Sequence, residues 1–280
     1  MPARRIAIAA DDYGISPGVD GAILELIRKE RLSAVSCMTV FDRWGLASQE
    51  LRHHGETIDL GLHFTLTKYP PLSGVNALGE KKSHPGPSSL FLASLVGIID
   101  ATAITNELNA QIDRFIDGTG RPPDYVDGHH HVHQFPVICD AVTACVDERL
   151  PTSWIRQCGN TAANILGINK TRIKTGFLAF GSLKLQTLCR RNGIKMNAGF
   201  SGCYDFSSSP PYDVLFERFV HYLPDLGLVM CHPGKVDATL AQLDDLTEQR
   251  EVEFEFLKSR AFTSALDRAD VKLVRLSEQL

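Results

Sequence analysis

The sequence predicts an α/β protein whose parallel strands close into a (β/α) barrel of seven or eight strands. Short apolar runs alternate with helical stripes almost from end to end, the pattern of strands joined by helical crossovers. Seven or eight such units within one chain of 280 residues favour closure of the sheet. The first apolar run also lacks the following Gly-x-Gly-x-x-Gly that marks an open dinucleotide-binding sheet. A single domain over residues 1–280 is expected, with no internal repeat.

Residues 5–10 are the first apolar run. Ser16-Pro17 then reads as an N-cap with proline at the first helical position. Val19, Ala22, Ile23, Leu26 and Ile27 recur at helical spacing, so a helix is expected over 17–30. A strand at 33–41, a short helix at 46–53 and a third strand at 57–64 follow. Leu108, Ile112, Phe115 and Ile116 stripe a helix over 106–116, which Arg121-Pro122-Pro123 ends before a strand at 125–129. Helices are expected at 136–150, 177–191, 212–222 and 243–259, and strands at 153–157, 226–231 and 271–276, with 195–198 ambiguous. Two segments break the rhythm: 68–89, rich in Pro, Gly and Ser, and 200–211, which holds Ser207-Ser208-Ser209-Pro210-Pro211. Long loops in a compact domain are often lids or binding loops. The first, close behind His63, is read as a lid.

Composition narrows the function. A net charge of −4 argues against a nucleic-acid surface, which needs a basic face. The seven cysteines are scattered with no Cys-x-x-Cys pair, so neither a disulfide scaffold nor a cysteine zinc site is indicated. The apolar run at 6–10 is too short for a signal peptide, and no stretch approaches a membrane span. A reducing cytoplasm is the expected compartment.

Four polar signals follow strands. Asp11 and Asp12 end the first, where adjacent side chains point in different directions; one suits a cation and the other a reacting water. His63 sits behind Gly61, which allows close backbone approach. Four of the ten histidines fall within 129–133, in Asp127-Gly128-His129-His130-His131-Val132-His133. In an extended segment Asp127, His129 and His131 would line one pocket. His232, before Pro233-Gly234, lies where barrel enzymes place catalytic groups, and an imidazole suits a general acid or base. Taken singly, each signal is matched by a plain structural reading: an aspartate capping a turn, a satisfied core histidine, a turn histidine. Their recurrence at the same phase, after a strand, is what points to a hydrolytic metal site.

Together the motifs at 10–16, 61–67, 127–133 and 232–234 resemble the YdjC-like family of carbohydrate deacetylases, which includes chitooligosaccharide deacetylases and hopanoid-associated relatives. The resemblance implies a distorted (β/α) barrel, TIM-like, with one divalent ion (Zn or Mg) held by Asp12, His63 and His129. It makes Asp11 the catalytic base and His232 the acid. The implied substrate is an N-acetylated sugar or a glycolipid bearing one, and a homodimer is the family-based expectation. Tyr13 and Gly128 stand where the family usually has Phe and Ser, and neither is an implied ligand. Asp127 is expected behind one of the histidines, Arg156 beside Asp11 or substrate, and His131 and His133 around the site or on substrate. Two other readings compete: a barrel metal hydrolase acting on another bond, and a catalytically silent sugar-binding relative.

Overall fold

The computed structural model describes residues 2–159, 172–206 and 210–280, by backbone alone at 172–180. Strand β1 (Arg4–Tyr13) is central. One edge pairs first with β8 (Val271–Leu273) and then with β2 (Ala34–Cys37), and the other pairs with β7 (Gly227–Cys231). Beyond β2 lie β3 (Asp59–Phe64), β4 (Tyr125–Gly128) and β5 (Trp154–Ile155), and beyond β7 lies β6 (Gly199–Ser201). The order is β5-β4-β3-β2-β1-β7-β6, with every pairing parallel. A parallel bridge from Ile155 to Met196, at the ambiguous 195–198 segment, brings the two ends of this path together. The sheet therefore curls into a distorted barrel, as expected. No described helix is long and apolar enough to cross a membrane.

Alternation along the strands separates two cores. Ile6, Ile8, Val35, Leu62, Val126 and Val229 face outward, onto the helices. Ala7, Ala9, Ala34, Tyr125, Trp154, Phe200, Leu228 and Met230 face inward. On the outside lie α1 (Pro17–Arg28), α2 (Trp44–Leu51), α4 (Ala101–Thr119), α5 (Ile138–Arg149) and α7 (Tyr212–His221), whose buried stripes supply the outer core. The Ser16 hydroxyl accepts the Val19 N–H at 3.2 Å, the cap that the sequence predicts. Helix α6 (Arg172–Asn192) is longer than expected.

Two helical expectations change. α3 (Pro87–Val96) begins within the 68–89 segment, where serines and leucines give no one-sided stripe. The helix expected over 243–259 is present as the shorter α9 (Glu248–Lys258), flanked by two helices not expected from the sequence, α8 (Ala238–Leu243) and α10 (Arg260–Ala269). Asp237 and Ser259 each accept a backbone N–H at the start of α8 and α10, so side-chain caps begin these two flanking helices.

Gly61 has a packing reason. Its register partner is Tyr125, whose ring stacks on Trp154 at 4.3 Å inside the barrel. A Cβ on Gly61 would lie 2.3 Å from that ring. Gly61→Ala is expected to cost roughly 1–3 kcal/mol through overpacking, read as a lower midpoint in thermal unfolding. A wild-type midpoint would show that the ring can shift freely.

Candidate active site

The inward phase of the strands continues beyond the apolar core into polar residues. Asp11 continues Ala7 and Ala9 on β1, Ser36 continues Ala34, and His63 continues Gly61. Asp127 continues Tyr125, and Arg156 follows Trp154 in the same phase. Parallel strands end at the same level, so these side chains meet above the packed interior. Arg156, fully buried, grips Asp11 with both guanidinium ends: Nη1 donates to Oδ2 and Nη2 to Oδ1, each at 2.8 Å. Its Nη2 also lies 2.7 Å from Asp127 Oδ2 and donates to Ser36 Oγ at 2.9 Å. Ser36 in turn donates to Asp127 Oδ2 at 2.6 Å. Burial would raise the Asp127 pKa, but Arg156 and His63 outweigh it and hold that carboxyl well below its ordinary value.

Asp12 reaches the site through a break in the alternation. The β1–β2 register shifts between Ala10 and Tyr13, and Asp12 has φ 68°, a left-handed conformation unusual within a strand. Both aspartates thereby meet the same cluster, on different partners. Asp12 Oδ1 lies 3.3 Å from His63 Nε2 and 3.1 Å from His129 Nδ1. Its Oδ2 accepts from Arg250 Nη2 at 2.6 Å. Burial would raise the Asp12 pKa, but Arg250 and His129 outweigh it and hold the carboxyl well below the usual range.

Asp12, His63 and His129 each offer a ligand atom within 4.8 Å of the others, all buried, which suits a divalent ion. Asp11, His63 and Asp127 meet the same distance test. Arg156 engages both carboxylates of the second set, whereas in the first set Arg250 takes only one Asp12 oxygen and leaves Oδ1 facing the two imidazoles, so the first is the better cation site. His63 Nδ1 faces Asp127 Oδ1 at 2.7 Å, which leaves Nε2 turned towards Asp12. A carboxylate behind one ring nitrogen fixes the tautomer and orients the other for a metal. The charges also favour a cation here: burial opposes protonation of His63, yet Asp127 and Asp11 raise its pKa to about 10.

The histidine cluster departs from the extended geometry expected of it. β4 ends at Gly128, and 129–134 forms a tight turn in which His130 and His131 have φ 55° and 59°. His129 and His131 therefore both line the cavity, but not as alternate residues of a strand, and Asp127 does not line it. Asp127 lies behind His63, His129 meets Asp12, and His131 stands further round the wall. His131 Nδ1 is 3.5 Å from Cys158 Sγ and its Nε2 is 3.8 Å from Cys203 Sγ. His130 packs against His129 at 3.9 Å, its Nδ1 2.8 Å from Thr67 Oγ1. His133 is buried outside the cavity and donates from Nε2 to the Arg156 carbonyl at 2.8 Å, holding the segment that presents the guanidinium.

A cavity of about 610 Å³ opens over these groups, with Asp11, Asp12, His63, His129 and His232 at its polar end. Phe91, Phe135, Phe206 and Leu246 form apolar wall. Pro87, Ser88 and Phe91 reach it from α3, so the end of the 68–89 segment lies at the cavity. Cys203, Tyr204 and Phe206 reach it from 200–211, whose serines at 207–209 are outside the described residues. His232 packs edge-on to Phe206, and its Nδ1 has no hydrogen-bond partner among the described residues. Burial pushes its pKa down to about 4, below the near-neutral value that a bare histidine suggests.

Sequence reasoning missed Ser36, Arg250 and Glu253. Arg250 and Glu253 are one turn apart on α9 and fully inward. Glu253 accepts the His232 backbone N–H at 2.6 Å and the Tyr204 hydroxyl. Burial raises its pKa to about 7. Charges at this spacing usually mark a solvated helix face, and only the position of α9 across the strand ends turns them inward.

A sequence profile of the YdjC-like protein family matches residues 5–268. The chitooligosaccharide deacetylase of Yersinia pestis (strain Pestoides F) is 28% identical over 244 residues, covering 85% of this chain and 84% of that protein. Its counterpart in Yersinia pseudotuberculosis serotype O:1b (strain IP 31758) matches to the same extent. Among solved structures, a protein of Enterococcus faecalis V583, provisionally named for cellobiose-phosphate cleavage, superposes with a TM-score of 0.75. It is 21% identical, with 99% of this chain and 98% of that one covered, and shares the fold. An uncharacterized protein of Agrobacterium tumefaciens C58 reaches 0.52 at 13% identity, covering 100% of this chain and 90% of that one.

Proposed function

Because the chain belongs to the YdjC-like protein family, we propose that it is a metal-dependent hydrolase that removes acetyl groups from N-acetylated sugars. The relatives named chitooligosaccharide deacetylase support an oligosaccharide of that chemistry as substrate. The observation that carries the reading is the Asp11 carboxylate, pinned by Arg156 on the floor of the same cavity as the Asp12–His63–His129 cluster. A base and a cation site side by side are what amide hydrolysis needs.

Asp12, His63 and His129 would hold the ion, and two imidazoles with one carboxylate suit zinc better than magnesium, which prefers oxygen ligands. A divalent ion, when bound, supplies Lewis-acid polarisation of the acyl oxygen and lowers the pKa of water. The chain's own groups do the rest. Asp11 takes a proton from water as the oxygen attacks the amide carbon. Arg156 fixes the direction of the Asp11 carboxylate. The C–N bond then breaks, and the amine leaves only when protonated. His232, at the same cavity and with Nδ1 unpartnered among the described residues, takes up the proton that Asp11 received from water and delivers it to the amine. Its lowered pKa makes it neutral at rest and a strong donor once it has taken a proton within the site.

Acetate release from N-acetylated oligosaccharides and glycolipids, with zinc or magnesium supplied, tests the proposal. Release is expected to stop with a chelator and return when the ion is restored. Release unaffected by complete metal removal would sink the metal-dependent reading. No release from any acetylated sugar by metal-loaded protein would move the scissile bond elsewhere.

A further inference from the structure

Arg250 divides the two oxygens of Asp12. It is 1% exposed, on a helix that crosses the strand ends, and its Nη2 donates to Asp12 Oδ2 at 2.6 Å. The same nitrogen donates to Asp244 Oδ2 at 2.7 Å, and Nε donates to the Leu246 carbonyl at 3.0 Å. The Arg250 carbonyl accepts the Gly234 N–H at 3.1 Å, tying the helix to the segment after β7. The guanidinium is thus fixed by contacts independent of Asp12. Asp12 Oδ1 is left facing His63 and His129 at 3.3 and 3.1 Å.

A carboxylate can bind a cation through one oxygen or both. A catalytic site needs coordination positions left open. We propose that Arg250 is a positioning residue that confines Asp12 to one-oxygen coordination, so that a position remains for water or the acyl oxygen. This deepens the metal-dependent reading above and rests on it. Two physical effects follow. Oδ2 cannot turn towards the ion while the guanidinium holds it. The buried positive charge beside the ligand also weakens the hold on a second cation, because charges a few ångströms apart are poorly screened there. Arg250 therefore costs metal affinity while it preserves turnover, opposite in sign to a residue that merely supports the fold.

The test is a zinc titration of metal-free protein, wild type against Arg250→Met, joined to acetate release at saturating zinc and zinc X-ray absorption. The variant is expected to bind zinc about tenfold more tightly or better, to show an added oxygen neighbour at the ion, and to release acetate more slowly. Arg250→Gln keeps an N–H donor where Nε stands and loses the end that reaches Asp12. It should behave the same way if the methionine variant fails to fold. Folded variants that bind zinc no more tightly than wild type would overturn the proposal, as would undiminished acetate release. A raised KM with unchanged zinc affinity would assign Arg250 to substrate instead and also overturn it. Wild-type protein that takes up no divalent ion would remove the metal reading itself, and the inference with it.

Discussion

Asp11→Asn is expected to lower acetate release roughly 10²–10⁴-fold, the usual contribution of a positioned general base, while zinc binding persists. Asparagine keeps the size of the side chain and one carbonyl oxygen for Arg156, so the loss isolates the proton acceptor. Both Asp11 oxygens accept from Arg156 at 2.8 Å, which orients the carboxylate and leaves lone pairs for water. Asp12, His63 and His129 keep their own ligand atoms within 4.8 Å of one another without it. Single-turnover release at several pH values, alongside a metal assay, separates the two functions. Parallel loss of metal and activity would place Asp11 among the ligands and count against its role as base. Retained activity would move the base to another group.

Arg156→Met is expected to lower the thermal midpoint by about 10 °C, as removing one partner of a buried ion pair commonly costs 3–5 kcal/mol. Arg156 is fully buried between Asp11 and Asp127, so its loss removes the guanidinium from two neighbouring carboxylates and leaves His63 facing Asp127. The sign of the pH dependence is fixed by the same contacts. In the wild type the Asp127 pKa is lowered, so its stabilising contribution is present above the ordinary carboxylate pKa and fades as the pH falls below it. In the variant, two carboxylates confined together repel each other when both are charged. Their cost is absent at acid pH and grows as the pH rises through the ordinary carboxylate value. The gap between wild type and variant should therefore widen from about pH 4 to pH 7. Melts across that range decide it: a gap independent of pH would mean that Arg156 acts through packing alone.

These two variants probe positions whose phase was written in the sequence. Alternation carries inward-facing Ala7 and Ala9 on to Asp11, Gly61 on to His63, Tyr125 on to Asp127 and Trp154 on to Arg156. A parallel sheet brings those ends to one level whatever the loops do. The barrel was accessible for that reason and the Ser16 cap from its own Ser-Pro signal, whereas the grouping of Asp12, His63 and His129 came from the resemblance, since Asp12 breaks the alternation. The histidine run shows where alternation stops being a guide. His130 and His131 adopt left-handed backbone, and no glycine marks the turn, so period-two reasoning continued one strand too far.

The sequence alone determined the alternation of strands and helices along the chain, the barrel class, and the polar residues that follow the strands. These are local properties, set by a period of two and by apolar patterning. Tertiary structure decided the partners of those polar residues. Asp12 joins the cluster only because β1 shifts register, and Gly61 is required only because the Tyr125 ring fills the space beside it. Arg250 and Glu253 lie on a helix whose charges read as a solvated face until that helix is laid across the strand ends. A charge pattern along one helix records its spacing. Which side is buried depends on surfaces supplied by residues more than two hundred positions away, such as Asp12.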